Sequence, residues 1–194
     1  GINQHEFAYD YEKAAIAIEK YLKDFPCDWA SASIPGLDGR VFSMAFSESG
    51  VVAPITTFVT GPMHDALGDK YYRYPGREIS ENSTPQFVGG TFMEPDEYEQ
   101  LIAETVLPRA CVNLSEPRQA MSAWVEFGME VNRFSSANRE IGKIVGGLGY
   151  PSIPMGGAYA PLDIIGDFLR GISNTVLDIR RYPDKVKKAA EALV

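Results

Sequence analysis

The stretch from Ala158 to Val186 reads AYAPLDIIGDFLRGISNTVLDIRRYPDKV, and its pattern decides the expected architecture of the C-terminal end of the chain. Apolar side chains recur there at three- and four-residue steps, which predicts helix. They are Leu162, Ile165, Phe168, Leu169, Ile172, Val176 and Ile179. Pro183 suits the first turn of another helix. The N–H groups of a first turn have no partner within the helix, so proline, which lacks an N–H, loses no hydrogen bond there. Residues 158–194 are therefore predicted to be helical.

Upstream of this stretch, the pattern alternates between helix and strand. Asp10 can cap a helix that ends before Pro26. Residues 27–34 are poor in charge and are stopped by Pro-Gly, as expected of a buried strand. Residues 36–91 carry successive turn signals and are predicted to be a long irregular excursion. A second strand is predicted over residues 151–159.

Two further helices are expected between the excursion and the glycine-rich stop at residues 146–149. Residues 94–98 read Glu-Pro-Asp-Glu-Tyr and begin a short helix that should end near Pro108. Ser115-Glu116-Pro117 begins a longer helix whose wide apolar face predicts burial on more than one side. The side chains of that face are Met121, Trp124, Val125, Phe127, Val131 and Phe134. The whole order predicts a single α/β domain over residues 1–194.

Composition narrows the class of protein. The chain has 194 residues and a net charge of -8 from 26 acidic and 18 basic side chains, which argues against binding to nucleic acid. No apolar run approaches the roughly 18 to 20 residues that cross a bilayer, so we expect a soluble cytoplasmic protein with no membrane partner. Cys27 and Cys111 are predicted to be buried thiols. With only two histidines, the chain is predicted to hold no metal site of its own.

Several segments resemble the uroporphyrinogen decarboxylase/corrinoid methyltransferase superfamily. Residues 158–171 are similar to its barrel strand that ends in an Ala-Pro turn before a helix ending near Arg-Gly. Residues 177–186 resemble its next helix, break and following helix, and residues 25–30 its helix-to-strand junction. Residues 67–77 resemble the methyltransferase-like branch more than the decarboxylases. The resemblance implies the N-terminal part of a TIM (β/α)8 barrel, incomplete in this chain.

The resemblance also implies an activity for the full-length protein, most closely that of a corrinoid-linked methyltransferase. The corrinoid would be carried by a partner protein, and zinc held by His and Cys of later strands would activate a thiol. No cofactor is expected within this chain, which should be inactive alone. One alternative is decarboxylation of a uroporphyrinogen-type tetrapyrrole, although that branch's Arg-Gln-Ala-Gly-Arg pattern is missing here. Another is a non-catalytic fragment or binding module. Exposed strand edges of a half-barrel predict a homodimer.

The candidate site residues cluster at the predicted strand end. Tyr159 and Pro161 are expected to contact a small-molecule substrate, or to pack on the barrel rim. Asp163 and Asp167 lie four apart and share a helix face, so they can form an acid/base pair with separated pKa values. The alternative is that Asp163 caps a helix while Asp167 pairs with Arg170.

Three residues of the excursion are further candidates. Arg73 and Arg77 can grip an anionic group, because a guanidinium matches carboxylate and phosphate geometry, or they can simply be solvated. His64 stands beside Asp65, an acid that can raise its pKa, or it has a structural role.

Overall fold

The computed structural model describes residues 1–26, 60–99, 109–151 and 160–193, and these are mostly helical. Helix α1 spans Gln4–Tyr9 and α2 spans Tyr11–Asp24. Asn3 starts α1 with a capping box, in which Asn3 Oδ1 accepts from Glu6 N at 2.7 Å and Glu6 Oε2 accepts from Asn3 N at 3.1 Å. Asp10 ends α1 and caps α2. The predicted Asp10 cap and the helix end before Pro26 are confirmed.

Regular structure interrupts the region predicted to be irregular. Helix α3 spans Gly61–Leu67, with Pro62 in its first turn and Gly68 in the left-handed conformation (φ 60°) at its end. Both residues are local signals for a short helix. Strands β1 (Tyr72–Arg73) and β2 (Gln86–Phe87) then pair antiparallel.

The long helix α4 spans Pro117–Gly147, and it starts and stops where predicted. Glu116 caps it by accepting from Arg118 N and Gln119 N at 3.1 and 3.0 Å. A 3-10 turn at Val112–Leu114 precedes it. The other predicted helix appears as a 3-10 turn, Glu97–Glu99, beyond which residues 100–108 lie outside the described part.

The predicted burial of α4 on more than one side is wrong for several of its apolar residues. Helix α4 packs on α2 and α3 through a single stripe of buried side chains. The stripe consists of Ala123, Phe127, Phe134, Ile141 and Val145. Met121 and Val125 lie on the opposite side of the helix and are 70% and 56% exposed.

The C-terminal part is helical, as predicted, but it is broken into pieces. Helix α5 (Pro161–Asp163) runs on as a π-helical segment, Ile164–Leu169, and is followed by α6 (Ile172–Arg181) and α7 (Pro183–Ala192). Gly171 separates the π segment from α6 with a φ of 77°. The apolar stripe of this region therefore does not keep one face: Phe168 is buried, whereas Ile172 is 67% exposed.

An aromatic group joins β1 and β2 to the π segment. The Tyr71 ring is fully buried, with its centroid 5.0 Å from that of Phe92 and 5.5 Å from that of Phe168. Phe87 contacts Phe168 as well, at 5.2 Å. The core beneath the candidate site is thus built from residues far apart in sequence.

The predicted barrel is not tested by these residues. The segments predicted as barrel strands, 27–34 and 152–159, lie outside the described residues. Within the described residues, the β structure is the short β1–β2 ladder with isolated bridges at Asp69–Cys111 and Pro75–Ile79. In the same part of the chain, no helix combines the length and apolar character needed to cross a membrane.

Candidate functional site

The π segment accepts hydrogen bonds from residues 71–93, which precede α4 in the chain, whereas the segment itself follows α4. A π-helix has i→i+5 hydrogen bonds, is rare, and frequently occurs at functional sites. We therefore describe the groups that bond to its carbonyl oxygens. Four successive carbonyls bond to that region: Asp167 to Gly90 N (3.3 Å), Phe168 to Tyr71 Oη (3.0 Å), Leu169 to Phe92 N and Met93 N (2.7 and 2.9 Å), and Arg170 to Thr91 Oγ1 (3.0 Å). These carbonyls stand at the C-terminal end, where a helix supplies no N–H donors of its own, and the bonds anchor that end to residues 71–93.

Asp163 and Asp167 are electrostatically coupled, as one of the two predictions for them required. Asp163 is exposed and Asp167 is half-buried. Burial, together with the charge of Asp163, raises the pKa of Asp167 above its ordinary value of 3.8. The pair thus has one carboxyl group that protonates more readily than usual.

The alternative prediction for these two carboxylates is wrong. Asp163 makes no capping bond, since Ala160 occupies the N-cap position of α5. Arg170 does not pair with Asp167, because a π-helix has more residues per turn than an α-helix and turns Arg170 further from that face. Arg170 points inward instead.

Arg170 forms a buried ion pair that the sequence pattern did not predict. Its Nε donates to Asp178 Oδ2 at 2.7 Å and its Nη1 donates to the carbonyl oxygen of Met93. Tyr98 Oη donates to the same Asp178 oxygen at 3.0 Å. Burial opposes the charge of Arg170, but the hydrogen bond and charge of Asp178 outweigh it and raise the pKa of Arg170. This group has a structural role.

The two candidate arginines have different surroundings. Arg77 donates to Asp65 Oδ2 through Nε at 3.1 Å and Nη2 at 2.6 Å, and its guanidinium lies 5.3 Å from the centre of the Tyr9 ring. Arg73 is exposed on β1, opposite Gln86, and has no hydrogen bond or ion pair with another described residue. Arg73 is therefore the arginine that is available to an anion.

The structure does not join the predicted site residues into one group. Tyr159 lies outside the described residues. Among the described ones, no hydrogen bond or ion pair links Arg73 or Arg77 to Asp163. Pro161 lines an apolar surface cleft of about 410 Å³ between α5 and α7. Its other walls are Leu162, Ile179, Pro183, Val186 and Ala190, with Lys187 and Glu191 at the rim.

His64 lies at the centre of a separate polar cluster. The imidazole is buried in α3, with Nδ1 2.6 Å from Asp69 Oδ2 and Nε2 3.3 Å from Glu78 Oε1. The Tyr74 ring stacks on it at 4.8 Å. Sequence proximity had suggested Asp65 as the partner of His64, but Asp65 pairs with Arg77 instead. The acids that do contact His64 are five and fourteen residues further along the chain.

Both carboxylates of this cluster are anchored by backbone N–H groups. Asp69 Oδ1 accepts from Tyr71 N at 2.8 Å and Tyr72 N at 3.2 Å. Glu78 Oε2 accepts from Tyr74 N at 2.7 Å. The two acids therefore hold fixed positions on either side of the ring.

This geometry favours a charged imidazole. A ring with carboxylate oxygens at both nitrogens donates twice only when it is protonated. Burial disfavours that charge, but the hydrogen bonds and charges of Asp69 and Glu78 outweigh burial and raise the pKa of His64 above 6.5. Burial would raise the pKa of Glu78, but the bonds from Tyr74 N and His64 lower it overall. His64 and Glu78 thus form an ion pair.

The cluster does not fit the zinc that the resemblance implies for the full-length protein. Zinc needs a neutral imidazole nitrogen and further His, Cys or carboxylate ligands. His64 has both nitrogens engaged, and within the described ranges no three such side chains form a potential metal-binding group. Cys111 is buried near Asp69, and burial foremost raises the pKa of its thiol to about 12.

Comparison of the chain with protein-family models, with curated proteins and with solved structures gives no match. Membership of the superfamily therefore stays a prediction that rests on the quoted segments, chiefly residues 158–186.

Proposed function

We propose that this chain is the N-terminal part of a uroporphyrinogen decarboxylase-like enzyme, and that the full-length enzyme is a corrinoid-linked methyltransferase. The proposal rests on the resemblance of residues 158–186. One structural observation supports it: helices begin at Pro161 and Pro183, and the first ends at Arg170-Gly171, where the similar pattern has its boundaries.

In this proposal, the chain contributes part of the substrate-binding mouth. Tyr159 is the last residue of the second predicted strand, and Pro161 and Asp163 lie in α5 shortly after it, in the region where sites of such barrels form. Asp167 adds a carboxyl group whose raised pKa suits proton exchange with a ligand. Arg73, whose guanidinium pairs with no other residue of the described ranges, offers this group to an anion of the substrate. A corrinoid protein would be the partner of the full-length enzyme.

The proposal is tested by methyl transfer between a methylated substrate and a corrinoid protein. We expect transfer by the full-length protein and none by residues 1–194 alone. Asp163→Asn should lower turnover, whereas Lys143→Ala on the exposed side of α4 should not. Turnover by residues 1–194 alone would contradict the proposal that the chemistry needs the rest of the protein. No turnover by the full-length protein would contradict the proposed methyltransferase activity.

A titration of the full-length protein with a uroporphyrin-type tetrapyrrole separates the decarboxylase alternative. Tight binding without methyl transfer would assign the protein to that branch. If the native protein ends near Val194 and shows neither methyl transfer nor tetrapyrrole binding, the remaining alternative is a non-catalytic binding module.

We also propose that the chain forms a homodimer. Met121, Val125 and Met129 form an exposed apolar stripe on α4, the kind of surface that favours self-association. Light scattering should give twice the mass of the chain, and a monomer at micromolar concentration would contradict the proposal.

A further inference from the structure

Two neighbouring side chains of α3 hold two neighbouring residues of the loop 74–79. His64 contacts Glu78 in a buried position, and Asp65 pairs with Arg77 at the surface. The His64–Glu78 contact is the less exposed of the two, because the His64 side chain is only 6% exposed. It is therefore less screened by solvent than the Asp65–Arg77 pair.

The loop 74–79 is a tight turn that is anchored at one end, because Tyr74 and Pro75 are buried and His5 Nδ1 lies 2.7 Å from the Pro75 carbonyl oxygen. The carbonyl oxygen of Tyr74 accepts from the N–H groups of Arg77, Glu78 and Ile79 at 3.2 to 3.3 Å. Gly76 N donates to Ile79 O at 2.9 Å. These bonds close the turn without joining it to α3, and its outer residues 76–79 are attached to α3 by the side chains of Arg77 and Glu78.

We propose that His64 is a pH-sensitive latch, which fastens the outer residues 76–79 of the loop to α3 when the ring is protonated and loosens them when the ring is neutral. A neutral imidazole has one N–H. It would keep that proton at Nδ1, on the shorter bond to buried Asp69 (2.6 Å against 3.3 Å to Glu78). The lone pair of Nε2 would then face the anionic oxygen of Glu78, and the contact would turn from attractive to repulsive.

Besides His5, whose Nδ1 lies 2.7 Å from the carbonyl oxygen of Pro75 in the same loop, several titratable groups surround His64. The titratable and charged side chains packed around it in the described part of the chain are Asp69, Glu78, Tyr74, Asp65, Arg77, Tyr9, Tyr11 and Cys111. Burial raises the pKa of each tyrosine, and the pKa of Cys111 is also raised, so these groups stay neutral. The lowered pKa of Glu78 keeps it charged.

The direction of the response follows from the pKa shift of His64. The folded-state pKa is raised above 6.5, so the stabilising bridge is complete below that pH. It is lost as the pH rises through the raised, folded-state value. The outer residues of the loop are therefore held more firmly on the acidic side than on the alkaline side.

The first test follows the His64 ring by NMR. The chain has two histidines, so a His64→Gln variant, in which only the His5 signal remains, assigns the two imidazole signals. We expect His64 to titrate above 6.5, and we expect Glu78→Ala to lower its pKa by about one unit. Glu81→Gln is the matched control, because Glu81 is an exposed acid near the same loop, and it should leave the titration of His64 unchanged. Titration of His64 at or below 6.5 would overturn the proposal.

The second test measures hydrogen exchange at the amides of Arg77 and Glu78, corrected for the intrinsic effect of pH. Protection in the unmodified chain should fall as His64 loses its proton, while Glu78→Ala should show low protection throughout. Glu78→Gln should abolish the pH dependence, because the new amide can donate to the lone pair of neutral Nε2. Protection that is independent of pH in the unmodified chain, or that falls equally in Glu78→Gln, would overturn the latch.

Discussion

Arg170 Nε and Asp178 Oδ2 lie 2.7 Å apart in an ion pair whose side chains are only 5% and 3% exposed. The pair joins the end of the π segment to α6. The same Arg170 side chain reaches the carbonyl of Met93, so it also links the C-terminal part to the loop after β2. One side chain thus ties together three segments of the chain.

Removing one member of this pair should destabilise the fold. We expect Asp178→Ala to lower the free energy of unfolding by about 3 to 5 kcal/mol, because the buried Arg170 charge loses its close carboxylate and keeps the Met93 carbonyl and the exposed Glu94 carboxylate, 3.8 Å away. Asp184→Ala, at an exposed acid in the first turn of α7, should cost less than about 1 kcal/mol. Chemical denaturation of both variants checks the prediction, and equal losses would contradict it.

Gly171 should tolerate no side chain. Its φ of 77° is strained for other residues, and an added Cβ would come within 2.7 Å of Thr91 Oγ1. We expect Gly171→Ala to lower the unfolding free energy by at least about 1 kcal/mol. Gly142→Ala is the matched control, because Gly142 lies within α4 with nothing within 4 Å of the new Cβ. That variant should gain roughly 0.5 to 1 kcal/mol, and thermal melting should separate the two.

The carboxyl group of Asp167 should make stability depend on pH in an unusual direction. Its folded-state pKa is raised above 3.8, so its stabilising contribution is complete below that pH and is lost as the pH rises through the raised value. Asp167→Asn should therefore stabilise the fold at neutral pH, by less than about 1 kcal/mol for a partly solvated group. The gain should vanish in acid. Asp163→Asn should lower the pKa of Asp167 in a carboxyl NMR titration, and no change there would contradict the coupling.

The Tyr71 hydroxyl should contribute to the stability of the π segment. It donates to the carbonyl oxygen of Phe168 in a buried bond of 3.0 Å. Tyr71→Phe should cost about 0.5 to 1.5 kcal/mol, since it keeps the ring and removes the donor. Tyr21→Phe, at an exposed ring on α2, should be near neutral. An equal effect of the two variants in denaturation curves would refute the assignment.

The helix boundaries were predictable because their signals are local. Asp10, Glu116 and Pro183 act on backbone groups within one turn, and the structure has helices beginning at each of these signals. Such signals depend on nothing elsewhere in the chain.

The candidate site was less predictable because its partners are set by tertiary structure. His64 contacts an acid fourteen residues away, and Arg170 reaches a carbonyl 77 residues away. The apolar spacing of residues 162–169 fits an α-helix, and the π winding shows only in a bond such as that from Arg170 N to Ile165 O, five residues apart, at 2.8 Å. Interactions of this kind leave no periodic trace in a single sequence.

The dependence of the π segment on donors from residues 71–93 has a consequence for folding. Its carbonyl groups find their donors roughly 75 to 100 positions earlier in the chain, so the donors and acceptors meet only after a long loop has closed. A peptide of residues 160–193 alone would lack every one of those donors, and we expect it to wind as an ordinary α-helix or as coil. The register of this segment is thus acquired late, from its neighbours.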